Sequence, residues 1–134
     1  WASINNGISI EIMLLYISAI FWTLGYDTIY GAQDIVDDEI IGVKSTSLKF
    51  KNKIKLFVSS CYLITSLLIL FIFYNKMISN YSILLIIFFI LSLIYQIKIF
   101  DRTKPITCLK AFKINNFSGV LLFLGILESQ EFLF

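Results

Sequence analysis

The stretch YDTIYGAQDIVDDEIIGVKSTS, from Tyr26 to Ser47, decides how this chain is read. On a continuous helix it puts Asp27, Asp34 and Asp38 on one stripe, because steps of seven and four residues at about 100° each return a side chain to within roughly 20° of its start. The stripe closes an apolar segment, where three like charges repel one another and resist leaving water. A divalent cation, or a cation carrying an anionic substrate, makes such a cluster tolerable, so this stretch is the candidate site. Asp37 and Glu39 fall about 80° and 120° off the stripe and are expected to orient water, pair with a lysine or face solvent.

Outside this motif the chain is written for lipid. Of its 134 residues 58% are hydrophobic and only 15% charged, and the mean hydropathy is +0.85, far from the balance of a soluble domain. The expected class is an all-α polytopic membrane bundle of about four transmembrane helices, with spans at about 9–33, 56–74, 78–98 and 111–128. Leu56 to Tyr74 carries no charge and is long enough to cross a hydrocarbon core. The first and last spans are shorter. The first needs either Glu11 near an interface or helical continuation through Asp27, and the last needs Ala111 to Lys113 at the interface.

Basic residues set the orientation. Of eleven, five (Lys44, Lys49, Lys51, Lys53, Lys55) fall in one connection and five (Lys98, Arg102, Lys104, Lys110, Lys113) in another, leaving Lys76 elsewhere. By the positive-inside rule both connections, and the acidic motif with them, face the cytoplasm. In a mitochondrial inner membrane, rather than a bacterial one, the corresponding side is the matrix. The net charge of +2 points to no nucleic acid partner, since topology and anionic headgroups already account for the lysines.

Several chemistries are excluded within this chain. Without histidine it builds no Ser-His-Asp, Cys-His or histidine–metal site. Cys61 falls mid-span and Cys108 near a cytoplasmic helix end, so they are expected as small apolar fillers rather than a disulfide or a zinc pair. No glycine-rich phosphate loop and no internal repeat is visible. The chain opens at Trp1 with neither methionine nor a basic leader, so an interior start without a signal peptide is expected.

Oxygen ligands remain. Asp34 and Asp38, four apart, suit a hard cation, with Asp27 as a third donor two turns back. Magnesium fits best, because it keeps several waters and takes one or two carboxylates plus substrate phosphates. Gly42 is expected to release the helix into a loop, after which Lys44, Ser45, Thr46 and Ser47 offer donors for phosphate oxygens. Plainer readings stand beside these. The acids also suit a solvated interfacial cap, Lys44 a topological lysine, and Tyr26 and Tyr30 an interfacial aromatic belt. Asn115 and Asn116 are expected first as helix-to-helix glue.

The residues of this run carry a resemblance. Tyr26, Asp27, Thr28, Tyr30, Asp34, Asp37, Asp38, Ile41, Gly42, Lys44, Ser45 and Thr46 fit a pattern of roughly YDTxYAxxDxxDDxxIGxKSTA. That pattern resembles the second aspartate-rich motif of UbiA-type membrane prenyltransferases, in particular the 4-hydroxybenzoate polyprenyltransferases of ubiquinone biosynthesis. KAFKINNFSGVLLFLG (Lys110 to Gly125) is similar to the last helix of that subfamily. The chain departs at Ile35 and Val36, where members commonly carry a basic then an acidic residue.

The resemblance implies a nine-helix fold of which this chain supplies the C-terminal part, a fragment over residues 1–134. Its partner is then the missing N-terminal half bearing a first motif of the form NDxxDxxxD. It also implies Mg2+ as cofactor, and polyprenyl diphosphate and 4-hydroxybenzoate as substrates in the lipid bilayer. Asp34, Asp38 and Asp27 would bind metal, Lys44, Ser45 and Thr46 the diphosphate, and Asp27, Tyr26 and Tyr30 would complete the catalytic centre. The alternatives are a transferase for another aromatic or quinone precursor, and a small ion transporter using the carboxylates.

Overall fold

Backbone N–H and C=O groups in hydrocarbon must be satisfied within their own segment, which leaves a single chain of apolar runs little choice but helices. A computed structural model of the chain describes residues 9–42, 44–74 and 80–129. It is all-helical, with no strand among the described residues. The first half holds α1 (Ile10–Gly31), followed by a 3-10 turn (Ala32–Asp34) and α2 (Ile35–Ile41), then a single-turn α3 (Thr46–Lys49). The remainder is α4 (Ile54–Tyr74), α5 (Asn80–Ile99) and α6 (Pro105–Glu128). Among the described residues four helices are long and apolar enough to cross a membrane. At about 1.5 Å per residue each of them reaches roughly 30 Å or more, the thickness of a hydrocarbon core.

Local chemistry sets the ends. Ser9 caps α1 by accepting from Ile12 N–H at 3.4 Å, and Ser45 caps α3 by accepting from Leu48 N–H at 3.2 Å. Gly42 closes α2 in the left-handed region, φ +81°, with its N–H on Asp38 O at 3.0 Å. Pro105 opens α6, where its missing N–H costs nothing and its fixed φ suits the first turn. The last span therefore starts six residues before the expected 111. Lys110 and Lys113 ride on the helix itself, and the span is not short. The expected start of the third span, residues 78 and 79, lies outside the described residues.

Asp27, Asp34 and Asp38 do not share one continuous stripe. The helix is not continuous through the motif, because a 3-10 turn separates α1 from α2. Three residues at about 120° rather than 100° rotate α2 by roughly 60°, so Asp34 and Asp38 leave the line of Asp27. Burial explains the turn. Ile29, Ala32 and Ile35, three apart, are all buried in the common core, and a period of three keeps that face inward where a period of 3.6 would swing it out.

α1 packs along both α4 and α6, and α5 packs along α6. Between α1 and α4, Gly25 lies against the ring of Tyr62, and Thr65 Oγ1 donates to Ser18 O at 3.2 Å. Between α4, α5 and α6 runs a buried polar chain. Tyr62 OH donates to Gln96 Oε1 at 2.7 Å, Gln96 Nε2 donates to Ser118 Oγ at 3.0 Å, and Ser118 Oγ meets Ser92 Oγ at 2.7 Å. Gln96 is 0% exposed, so each of these bonds satisfies a group that neither water nor lipid reaches. Cys61 and Cys108 are free and buried, as fillers should be. Large apolar side chains face outward on all four long helices, as with Ile20, Leu63, Ile87 and Phe117.

Candidate functional site

The motif occupies the elbow between α1 and α2. Tyr26, Asp27 and Tyr30 lie on the last two turns of α1, Asp34 at the N-cap position of α2, and Asp37 and Asp38 in its first turn. Asp34 has φ −109° and ψ 14°, outside helical geometry, and its side chain caps no N–H. Asp27, Asp34 and Asp37 are exposed and Asp38 half-buried. None of these four side chains is tied by a hydrogen bond or ion pair among the described residues, whereas Glu39 pairs with Lys51. Pairing with a lysine was one of the roles expected of Glu39.

Among the described residues no three Asp, Glu or Cys side chains come together as a metal ligand set. Asp27, Asp34 and Asp38 are therefore not gathered around one point, because the 3-10 turn at Ala32–Asp34 rotates them apart. The donors are nevertheless of the right kind for magnesium: hard carboxylate oxygens, unneutralised and solvent-accessible. An incomplete protein shell is also what magnesium tolerates, since waters and phosphates fill the remainder.

Past Gly42 the chain returns to α1. Thr46 Oγ1 lies 3.0 Å from Thr28 Oγ1, and Thr28 in turn donates to Leu24 O at 2.6 Å. Ser45 Oγ meets Ser47 Oγ at 3.0 Å. Ser47 is buried against Gly31, where an added Cβ would sit 2.7 Å from Ser47 Oγ. The hydroxyls expected to bind phosphate thus have partners within the protein, and they tie down the loop that carries Lys44. Lys44 itself is exposed and lines an open hollow of about 480 Å³ with Thr46 and Lys49.

On the α6 side the two tyrosines share one ring. Phe112 lies 4.7 Å from Tyr30 and 6.0 Å from Tyr26, centroid to centroid. Trp22 meets Tyr26 edge-on at 6.0 Å and Phe89 at 5.3 Å, and its Nε1 donates to Asn115 Oδ1 at 2.8 Å. Trp22, Tyr26 and Asn115, with Asn116 and Gly119, line a groove of about 490 Å³. Asn115 serves as the expected interhelical glue. Trp22 and Phe112 were missed, although Trp22, Tyr26 and Tyr30 stand four apart, a spacing that stacks them on one helix face.

Residues 1–118 match the UbiA prenyltransferase family. The chain belongs to that family. It is 38% identical over 125 residues to 4-hydroxybenzoate geranyltransferase 1 of Lithospermum erythrorhizon, covering 88% of this chain and 38% of that protein. Against the 4-hydroxybenzoate octaprenyltransferase of Edwardsiella ictaluri the identity is 32% over 127 residues, 95% of this chain and 44% of that one. With the mitochondrial 4-hydroxybenzoate polyprenyltransferase of Bos taurus it is 34% over 129 residues, covering 94% and 34%. The chain thus spans less than half the length of these relatives. No solved structure matches it. Family membership and four apolar helices together make this an integral membrane protein.

Proposed function

We propose that this chain supplies the second acidic half of a prenyltransferase site that moves a polyprenyl group from polyprenyl diphosphate to 4-hydroxybenzoate. The observation that carries the reading is the set of free carboxylates of Asp34, Asp37 and Asp38 at the end of an apolar helix, in a chain of the UbiA family. Unpaired anions at such a place favour a cation, and a cation there favours a diphosphate. The names of the relatives support the acceptor.

Asp34 and Asp38 would hold Mg2+, and Asp27 on α1, turned out of their line, would act on it through water. Bound there, the metal would supply charge stabilisation to the leaving diphosphate. Lys44, held out by the anchored Ser45-Thr46 loop, places its ammonium against the same phosphate oxygens. Tyr26 and Tyr30, stiffened by Phe112, would wall the place where the allylic carbon meets the aromatic ring. The carbon–oxygen bond to diphosphate breaks, a ring carbon takes the allylic carbon, and the ring loses a proton. The acidic motif faces the cytoplasm or matrix, and the remaining ligands come from an N-terminal half outside this chain.

The test is reconstitution. Membranes holding this chain together with an N-terminal half carrying NDxxDxxxD should prenylate 4-hydroxybenzoate with magnesium, and membranes holding this chain alone should not. Transfer by the chain alone would contradict a shared site.

A further inference from the structure

A further groove lies where the two basic connections meet. It has a volume of about 590 Å³ and is lined by Lys51, Lys53, Lys55, Leu56, Asp101 and Arg102, with their neighbours. The two loops are fastened to each other there, because the Arg102 guanidinium donates to Lys51 O. The single carboxylate is turned into its own loop. Asp101 Oδ1 accepts from Thr103 N–H at 3.0 Å and from Thr103 Oγ1 at 2.8 Å. Lys51 is neutralised by Glu39. Lys53 and Lys55 are paired with no carboxylate among the described residues, and Arg102 keeps most of its N–H donors free. Lys55 Nζ stays close to the bundle, 5.9 Å from the centroid of Phe100.

The floor of the groove is the start of a membrane-crossing helix. Leu56, Leu63 and Leu67, at steps of seven and four on α4, are 66%, 60% and 57% exposed and form one apolar strip leading away from the cations. A ligand that fits has an anionic head at the height of the basic loops and a hydrocarbon tail beneath it. We propose that this groove binds the phosphodiester headgroup of an anionic membrane phospholipid, held by Lys53, Lys55 and Arg102, with its acyl chains along the α4 leucines. The groove shares no residue with the acidic motif, which it meets at the Lys51–Glu39 pair, and the proposal is independent of the prenyl-transfer reading. Free phosphate shares the headgroup chemistry but makes no use of the leucine strip.

The test uses the protein in phosphatidylcholine nanodiscs with spin-labelled phosphatidylglycerol as probe. The immobilised, protein-bound fraction should exceed that of a phosphatidylcholine label and should saturate. Its affinity should fall roughly fivefold for each lysine removed in Lys53→Gln and Lys55→Gln. Both positions are exposed, and unchanged circular dichroism checks the fold. Lys110→Gln with Lys113→Gln removes equal charge elsewhere and should change the affinity by less than about twofold. Equal losses from the two pairs would overturn the proposal, as would displacement of the probe by millimolar inorganic phosphate.

Discussion

Gly25 on α1 lies against the Tyr62 ring on α4 so closely that a Cβ there would sit 2.3 Å from Tyr62 Cε1 and 2.7 Å from Cδ1. Tyr62 has no slack, because its hydroxyl is held by Gln96 at 2.7 Å and its side chain is buried. Gly25→Ala should therefore push the two helices apart at a cost of about 1–3 kcal/mol. A lowered unfolding midpoint in detergent checks it. Tyr62→Phe keeps the ring and loses one bond, leaving Gln96 Oε1 without its donor, and should cost about 1 kcal/mol. A Gly25→Ala protein as stable as the parent would refute the close approach.

The Trp22–Asn115 bond fastens α1 to α6 beside the tyrosines. Trp22→Phe leaves a buried amide oxygen without its donor, for a loss of roughly 1 kcal/mol in a membrane bundle. Asn115→Leu removes the other partner, and the double variant should be less destabilised than the sum of the two singles. Thermal unfolding of all three variants measures that coupling, and strict additivity would show that the bond contributes nothing.

In the α5–α6 loop, hydrogen bonds from Thr103 N–H and then its hydroxyl hold the Asp101 carboxyl below the usual carboxylate range, aided by Lys104 and Lys55. A lowered folded value means that the loop is favoured with Asp101 ionised. That contribution is complete above the unfolded value, about 3.9, and is lost as pH falls through the folded one. A carbon-13 titration of Asp101 should therefore show a midpoint below about 3.9, moving upward in Thr103→Ala. An unmoved midpoint would show that the Thr103 hydroxyl does not act on the carboxyl.

Gly42 has φ +81°, which a side chain adopts only at a cost of about 1–2 kcal/mol, while the space around it is open. Gly42→Ala should thus strain the turn that delivers Lys44 without any clash. The expected result is weaker diphosphate binding in the reconstituted enzyme, seen as a raised KM for the prenyl donor, with only a small fall in melting temperature. A raised KM for 4-hydroxybenzoate instead would place Lys44 elsewhere.

Much of this fold can be read from local pattern. Uncharged runs such as Leu56 to Tyr74 become helices because lipid leaves no other option. Gly42 stops α2 because a left-handed cap suits it. The last span begins at Pro105 rather than at the expected 111, because proline is tolerated in a first helical turn as well as in a loop. The 3-10 turn was hidden for a different reason. It depends on Ile29, Ala32 and Ile35 meeting a core built partly from α4 and α6, so no window around the aspartates contains its cause. The partner of Trp22 is likewise 93 residues away. The run of carboxylates was legible as a cluster in sequence, and their relative rotation was not.

Asp34 and Asp38 are proposed to act on diphosphate through a divalent cation. The most direct measurement is prenyl transfer to 4-hydroxybenzoate by membranes containing both halves, across a magnesium titration, for the parent, Asp34→Ala and Asp38→Ala. Each variant should lose at least about a hundredfold in rate and need more magnesium for half-maximal activity, with Asp37→Ala affected much less. Unchanged rates and magnesium dependence in Asp34→Ala and Asp38→Ala would contradict the account.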